Sequence, residues 1–177
     1  HTIGNSVALG ASYEYAGYGA TKNRVLSGGR YNGTVSSYND NDMNNHTKAT
    51  LKGVHTVKLG AEFKVLPVLA LRAGYNFVSG MYNMNGYRDG TINSPGTYYS
   101  STTDYTNWKS QHRVTCGVGF TAGKFGIDVA YQFVTAKGEF APFMSYNGDT
   151  AEESCIADVV NVTNKRHQVL ATLSYRF

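Results

Sequence analysis

The chain has 177 residues and a formal net charge of +4. Its Lys and Arg residues are scattered without a basic cluster, which argues against a nucleic-acid partner. The composition, with 14 Tyr, 8 Phe, 20 Gly and only 3 Pro, favours strands and tight turns over helices. The longest apolar run spans Val65 to Leu71, far short of the roughly 18 residues of a membrane-spanning helix.

Six segments alternate apolar and other side chains with the two-residue period of a β-strand. We predict strands at residues 5–16, 54–65, 68–79, 112–122, 125–134 and 167–177. In chain order, their apolar faces carry Val7, Leu9, Ala11, Tyr13 and Tyr15; Val57, Leu59, Ala61, Phe63 and Val65; Leu69, Leu71, Ala73, Tyr75 and Phe77; Val114, Cys116, Val118 and Phe120; Phe125, Ile127, Val129, Tyr131 and Phe133; Val169, Ala171, Leu173, Tyr175 and Phe177. Aliphatic residues fill the middles and aromatic residues lie near the ends, which favours a lipid-facing surface between two aromatic girdles over a soluble sandwich.

The connections alternate between two kinds. Tight turns are predicted at Leu66-Pro67 and Gly123-Lys124, and long loops at about 17–53, 79–111 and 135–166. Such long loops are uncommon in a compact soluble domain. Short periplasmic turns alternating with long extracellular loops are typical of bacterial outer-membrane barrels. The sequence therefore predicts an all-β fold, an antiparallel transmembrane β-barrel in the bacterial outer membrane.

The opposite face of the predicted strands is polar. Its charged and amide residues are Glu14, Lys58, Glu62, Lys64, Arg72, Arg113, Asp128, Gln132 and Arg176. A charge in lipid costs several kcal/mol near the midplane, so we predict that these side chains face the barrel lumen. Counting from the Leu66-Pro67 turn places Glu62 beside Ala70 and diagonal to Arg72, and we expect an ion pair in the wall in preference to a substrate contact.

Six strands are too few to enclose this polar face. They would close into a tube about 12 Å across, and known membrane barrels begin at about eight strands. Either further strands lie in the loops, with residues 34–38 and 97–105 as candidates, or the chain is the C-terminal portion of one larger barrel domain. We favour the larger barrel.

Four segments carry a resemblance to a known family. They are Leu59-Gly60-Ala61-Glu62-Phe63, Leu69-Ala70-Leu71-Arg72-Ala73-Gly74-Tyr75, Gly126-Ile127-Asp128-Val129-Ala130-Tyr131-Gln132 and Leu173-Ser174-Tyr175-Arg176-Phe177. Their order and spacing resemble the final strands of FadL/TodX-type outer-membrane transporters, especially those of Bacteroidetes. The resemblance covers all six strands and none of the long loops.

The resemblance implies a 14-stranded barrel with an N-terminal plug, which takes up hydrophobic small molecules such as long-chain fatty acids. The partners that it implies are membrane lipid and lipopolysaccharide, the remaining N-terminal part of the barrel, and the barrel-assembly machinery. The terminal Phe177 resembles the signal that this machinery recognises. Two alternatives stay open: a scaffold or shuttle in type IX secretion, and a general porin.

Other chemistry finds little support in the sequence. The five histidines, at positions 1, 46, 55, 112 and 167, show no metal-ligand spacing. The run Asn39-Asp40-Asn41-Asp42 lacks the later Gly and Glu of a calcium loop, and no Gly-x-Ser-x-Gly elbow is present. We therefore predict no metal, no cofactor and no enzymatic activity. Cys116 is predicted to face lipid and Cys155 to lie in a loop, which makes a disulfide between them unexpected.

The two predicted faces can be distinguished by arginine substitution. Arg at the outward, mid-strand Leu59, Val118 or Val129 should cost roughly 2–4 kcal/mol of folding free energy in lipid. Arg at the inward neighbours Gly60, Gly119 and Ala130 should avoid that cost. Heat-modified gel mobility after folding into lipid measures the difference, and normal folding of the outward set with failure of the inward set would reverse the faces.

Overall fold

The fold is a large antiparallel sheet with a cap of loops at one end of its strands. A computed structural model describes residues 1–28, 33, 35–83, 86–98 and 104–177. The strands are β1 Thr2–Ile3, β2 Val7–Gly17, β3 Arg24–Gly28, β4 Val35–Asn39, β5 Gly53–Leu66, β6 Leu69–Val78, β7 Tyr105–Ala122, β8 Phe125–Ala141 and β9 Val160–Tyr175. The helices are α1 Asn41–Thr50 and α2 Pro95–Tyr98, with a 3-10 turn at Tyr18–Ala20. The predicted all-β class is confirmed.

Seven strands form the main sheet in the order β1-β2-β5-β6-β7-β8-β9. Apart from the two-residue β1, these are the six predicted strands, each paired with its neighbour in chain order. Two tight turns join them as predicted, and Gly123 adopts a φ of 60° in the second turn. Over the described residues, β2 and β9 are not paired with each other, so this part of the chain forms an open wall.

The registers place every predicted apolar face on one surface of the sheet. A single hydrogen-bonded row runs through Leu9, Ala61, Ala73, Cys116, Tyr131 and Val169, all predicted to be apolar-face residues. This surface stays exposed: the exposed fraction is 52% for Leu59, 41% for Val129 and 75% for Leu173. Over the residues that the structure describes, no second sheet or helix covers it.

Three strands are longer than predicted. β7 begins at Tyr105, β8 continues to Ala141 and β9 begins at Val160, so the predicted loop bounds of 79–111 and 135–166 were too wide. The added residues lack the apolar alternation because they extend beyond the apolar band. Some of their outward side chains lie under loops instead, and Tyr105 and Ala141 are buried there together with Ala157.

The predicted register at the first turn is also corrected. Glu62 lies directly opposite Arg72 and is not diagonal to it, because the turn residues are Pro67 and Val68, later than predicted, and a bulge between Lys64 and Leu66 sets the remaining register. Counting residues from the turn cannot detect such a bulge, since a bulge adds one unpaired residue to one strand.

The first long connection contains structure of its own. The candidate strand 34–38 corresponds to β4 from residue 35, with residue 34 outside the described part, but β4 pairs with β3 in a separate two-stranded sheet and does not extend the wall. In the second candidate, 97–105, Thr97 lies in α2 and Tyr105 begins β7, while residues 99–103 lie outside the described part. Where described, the loops therefore add no strand to the wall.

Hydrogen bonds tie the three long connections into one cap. Lys52 N–H donates to Met81 O at 2.8 Å and Gly90 N–H to Ser145 O at 2.8 Å, which link the first connection to the second and the second to the third. The Arg88 guanidinium lies 4.8 Å from the centre of the Tyr105 ring. Burial raises the pKa of Tyr87 in this cap, and the nearby Asp89 raises it further.

Helix α1 begins at a buried carboxylate. Asp40 Oδ1 accepts from the Met43 N–H at 3.1 Å, and its Oδ2 accepts from the Ser94 hydroxyl at 2.5 Å. The run at residues 39–42 thus contains the start of a helix, and Asp40 joins two connections. No helix in the described residues is long and apolar enough to cross a membrane.

Asp40→Ala should loosen the cap. The substitution removes an N-cap worth about 1 kcal/mol and also the Ser94 hydrogen bond, so amide exchange in α1 should accelerate about tenfold. Hydrogen exchange followed by mass spectrometry measures this. Asp42→Ala is the matched control, since Asp42 is exposed in the first turn of the same helix, and equal acceleration in both variants would contradict the capping role of Asp40.

Candidate functional site

A cavity of about 500 Å³ opens on the polar face, at the end of the sheet that carries the long connections. Its walls come from β5, β6, β7, β8 and β9 and from the first two connections. Since five successive strands contribute to one cavity, the sheet curls around this face. The apolar lining residues are Tyr18, Val54, Val78, Met81, Tyr82, Trp108, Val134 and Ala136, and the polar ones are Ser79, Thr106, Lys109, Ser110, Gln111, Asn164 and Arg166.

This apolar lining was not predicted from the sequence, although part of it has a signal there. In β6 and β8 the alternation ends in the doublets Phe77-Val78 and Phe133-Val134. Two successive strand residues point to opposite faces, so each doublet places an aromatic ring outward and a valine inward. Val134 is 6% exposed at the cavity wall.

Trp108 reaches the cavity through a bulge. Ser110 pairs with Lys137 and Trp108 pairs with Gly138, which leaves Lys109 as the extra residue in β7. The extra residue reverses which face each preceding side chain points to. Trp108 therefore lies on the inward face, although it is an even number of residues from the outward His112. No pattern in the sequence marks this position.

Two arginines flank Val134 at the cavity. Its cross-strand partners are Arg113 on β7 and Arg166 on β9. Arg166 lines the cavity, and the buried Nε of Arg113 has no hydrogen-bond partner in the part of the chain that the structure describes. Lys109, also in the lining, is bound to Glu139 at 2.5 Å. Among the described residues, Arg113 and Arg166 are thus the cations at this apolar wall that have no ion pair.

A second polar cluster lies nearer the tight turns. Arg72 on β6 donates from Nε to Glu62 on β5 at 2.7 Å, and its Nη1 donates to Asp128 on β8. The predicted ion pair within the wall is present, and it extends to a second carboxylate two strands away. The cluster joins one positive and two negative charges across four strands, which suits a structural role in the wall.

Gly119 makes the longer contact possible. It lies on β7 between Arg72 and Asp128, and a Cβ at this position would be 2.5 Å from Asp128 Oδ1 and 3.0 Å from Arg72 Nη1. Any side chain here would displace the ion pair. Gly119 is thus a poor inward control for the arginine test, whereas a Cβ at Gly60 would meet no atom within 4 Å.

The other predicted polar-face residues do not join either cluster. Glu14 pairs with Thr56 and Lys58 with Asn76, Gln132 donates to Gln168 at 3.2 Å, and Arg176 lies just beyond β9 with its N–H bonded to Lys124 O. Their backbone positions agree with the polar face. Of the predicted set, the structure joins only Glu62, Arg72 and Asp128.

The outward face carries three copies of one arrangement, which we call Tyr–His units. In each unit a histidine Nδ1 lies 2.6–2.7 Å from a tyrosine hydroxyl, and the same histidine ring stands 4.9–5.2 Å from a second aromatic ring directly opposite it. The units are Tyr13, Tyr15 and His55; Tyr75, Phe77 and His112; and Tyr131, Phe133 and His167.

Successive Tyr–His units are displaced by a constant step. Tyr13 shares a hydrogen-bonded row with Phe77, and Tyr75 shares one with Phe133, so each unit shifts by two residues for every two strands crossed. With about 3.3 Å per residue and about 4.8 Å between strands, the line of units is inclined about 35° to the hydrogen-bonded rows. If the units lie at one level, the strands tilt by the same angle.

A second aromatic line runs parallel to the first. Phe63, Phe120 and Tyr175 follow the same step on β5, β7 and β9. Each lies eight residues after the histidine of its strand, His55, His112 or His167. That spacing corresponds to about 22 Å between the two lines after correction for the tilt.

This repeat was not predicted from the sequence. Metal-ligand spacing was the only pattern considered for the histidines. The signal that was available is a histidine followed eight residues later by an aromatic residue in three alternate strands.

Comparisons with known proteins leave the family prediction as it stood. No family model, no curated protein and no solved structure matches the chain.

Gly119→Ala should destabilise the wall. The added methyl group must push the Asp128 carboxylate away from Arg72, and overpacking of this kind costs about 1–3 kcal/mol. Urea unfolding from lipid vesicles measures the loss, with Gly60→Ala as the control in open space. Restoration of stability in the double variant Gly119→Ala, Asp128→Ala would confirm the cause, and equal losses in the two single glycine variants would contradict it.

Proposed function

We propose that the chain forms part of an outer-membrane β-barrel that takes up hydrophobic small molecules, as its resemblance to FadL/TodX-type transporters implies. The observation that carries the proposal is the uncovered apolar face bounded by two parallel aromatic lines. An apolar surface of this extent is unfavourable in water. Lipid would remove that cost, and the polar face would then line the lumen.

The geometry of the two lines supports a membrane environment. Strands of transmembrane barrels tilt by about 35–45°, and their apolar band is about 25 Å tall between aromatic girdles. With the Tyr–His units at one level, the strands tilt by about 35° and the two lines lie about 22 Å apart. A soluble sheet has no reason to keep its aromatic residues at two constant levels.

The cavity supports a hydrophobic ligand with an acidic group. Its valines, Met81 and Trp108 offer an apolar wall, and Arg166 with the neighbouring Arg113 offers positive charge at one side. A long-chain fatty acid combines these two properties. Its tail would contact Trp108 and Val134, and its carboxylate would accept hydrogen bonds from a guanidinium.

Trp108→Ala should weaken fatty-acid binding about tenfold, because the loss of apolar contact exceeds about 1.4 kcal/mol. Purified full-length protein in liposomes should show correspondingly slower fatty-acid uptake at low concentration. Arg166→Gln should reduce binding of the fatty acid more than that of the alcohol of equal chain length.

Gly60→Ala is the control variant, since Gly60 is inward and outside the cavity and a Cβ there would meet no atom within 4 Å. It should leave uptake unchanged. Unchanged uptake in the Trp108 and Arg166 variants would reject the cavity as the ligand site. Large, steady ion conductance by the wild-type protein would favour a general porin over a transporter of hydrophobic molecules.

A further inference from the structure

The third Tyr–His unit differs from the other two in the residues above it, on the side of the long connections. The outward residue two positions before each histidine is Gly53 in the first unit, Ser110 in the second and Lys165 in the third. A second lysine, Lys137, lies on the same face of the neighbouring strand. The lysines are thus concentrated at one of three otherwise equivalent positions.

The two lysines are diagonal neighbours on β8 and β9. Thr135 pairs with Lys165, and Lys137 pairs with Thr163, so the lysine Cβ atoms are about 7 Å apart. Both side chains are exposed. Among the described residues neither makes an ion pair, and the outward carboxylate of the same strand, Glu139, is bound to Lys109. Like charges at this spacing repel each other unless an anion lies between them.

The level of the lysines identifies the kind of anion. Lys165 lies about 5 Å beyond His167, measured perpendicular to the aromatic line. In a membrane-spanning wall, that line marks the boundary between hydrocarbon and headgroups. Two exposed cations just beyond the boundary, on the outward face, meet lipid headgroups and not the lumen.

We propose that Lys137, Lys165 and His167 form a binding site for a phosphate group of an outer-leaflet lipid of the lipid A type. The lysine ammonium groups contact the phosphate from both sides, and Thr135 and Thr163 supply hydroxyl donors between them. The hydroxyl of Tyr131 holds Nδ1 of His167 at 2.6 Å, which leaves Nε2 available to a phosphate oxygen. This inference rests on the proposed membrane function, because it requires the outward face to meet lipid.

The aromatic rings below the lysines complete the site. Phe133 stands 4.9 Å from the His167 ring, and the outward Val169 follows His167 along β9. Acyl chains attached to the same lipid would extend along this apolar surface. The site therefore recognises a phosphate and an acyl chain together, which free phosphate does not provide.

The test is binding of purified full-length protein in detergent micelles to lipid A carrying two phosphates. Native mass spectrometry counts the bound lipid, and 31P NMR reports on the phosphate. The double variant Lys137→Ser, Lys165→Ser should bind about thirtyfold more weakly, since each cation near an anionic headgroup contributes about a factor of five. Dephosphorylated lipid A should bind the wild type and this variant equally weakly.

Lys58→Ser, Lys64→Ser is the matched control, because it removes two lysines from the inward face. It should leave lipid A binding unchanged. Equal binding by the outward double variant and the wild type would overturn the proposal, as would displacement of lipid A by an equimolar amount of inorganic phosphate.

Membrane insertion and fatty-acid uptake are measured separately in phospholipid vesicles without lipid A. Failure there rejects the proposed function, whereas intact uptake with no lysine-dependent lipid A binding rejects only the phosphate site.

Discussion

A β-strand turns successive side chains to opposite faces, and antiparallel pairing keeps that separation only if every register matches in phase. Five successive registers match in this sheet, from β2 to β9. A slip of one residue between any two strands would expose charges among apolar side chains. The uncovered apolar surface, the polar cavity wall and the aromatic lines all depend on this common phase.

The polar face must accommodate charged side chains on a single sheet. Arg72 lies between two carboxylates. The absence of a side chain at Gly119 lets Arg72 reach Asp128 across β7. Ion pairs between side chains this exposed contribute little stability in water. Their contribution rises where the surroundings are less polar. The cluster then helps to keep the strands in phase, since a slipped register would separate the charges.

The sequence was a good guide wherever one period governed a whole strand. The six strands, both tight turns and both faces were predicted, because apolar residues occupy every second position along each predicted strand and turn residues separate the strands. Prediction was poorer at the strand ends, where the alternation stops. Beyond the aromatic line at His55, His112 and His167, outward residues no longer need to be apolar, so the strand ends at Tyr105, Ala141 and Val160 carried no periodic signal.

Long-range contacts in the candidate site were also beyond the sequence. The cavity joins side chains from five strands and two connections, and Met81 and Tyr82 reach it from a segment without any period. The pairing of Arg72 with Asp128 required knowledge of two registers, that of β6 with β7 and that of β7 with β8. Local alternation identifies a face, but it does not place two residues of that face side by side.

The bulge at Lys109 divides β7 into two stretches whose side chains alternate between the faces in opposite phase. Below it, the side chains of β7 must follow the alternation of the whole wall. Above it, Trp108 and the residues before it follow the opposite alternation. Loss of one residue at this point would rotate the tryptophan out of the cavity while leaving the wall unchanged. Under the proposed function, insertions and deletions there would change ligand preference without disturbing the wall, so ligand specificity could diverge in evolution while the scaffold stays constant.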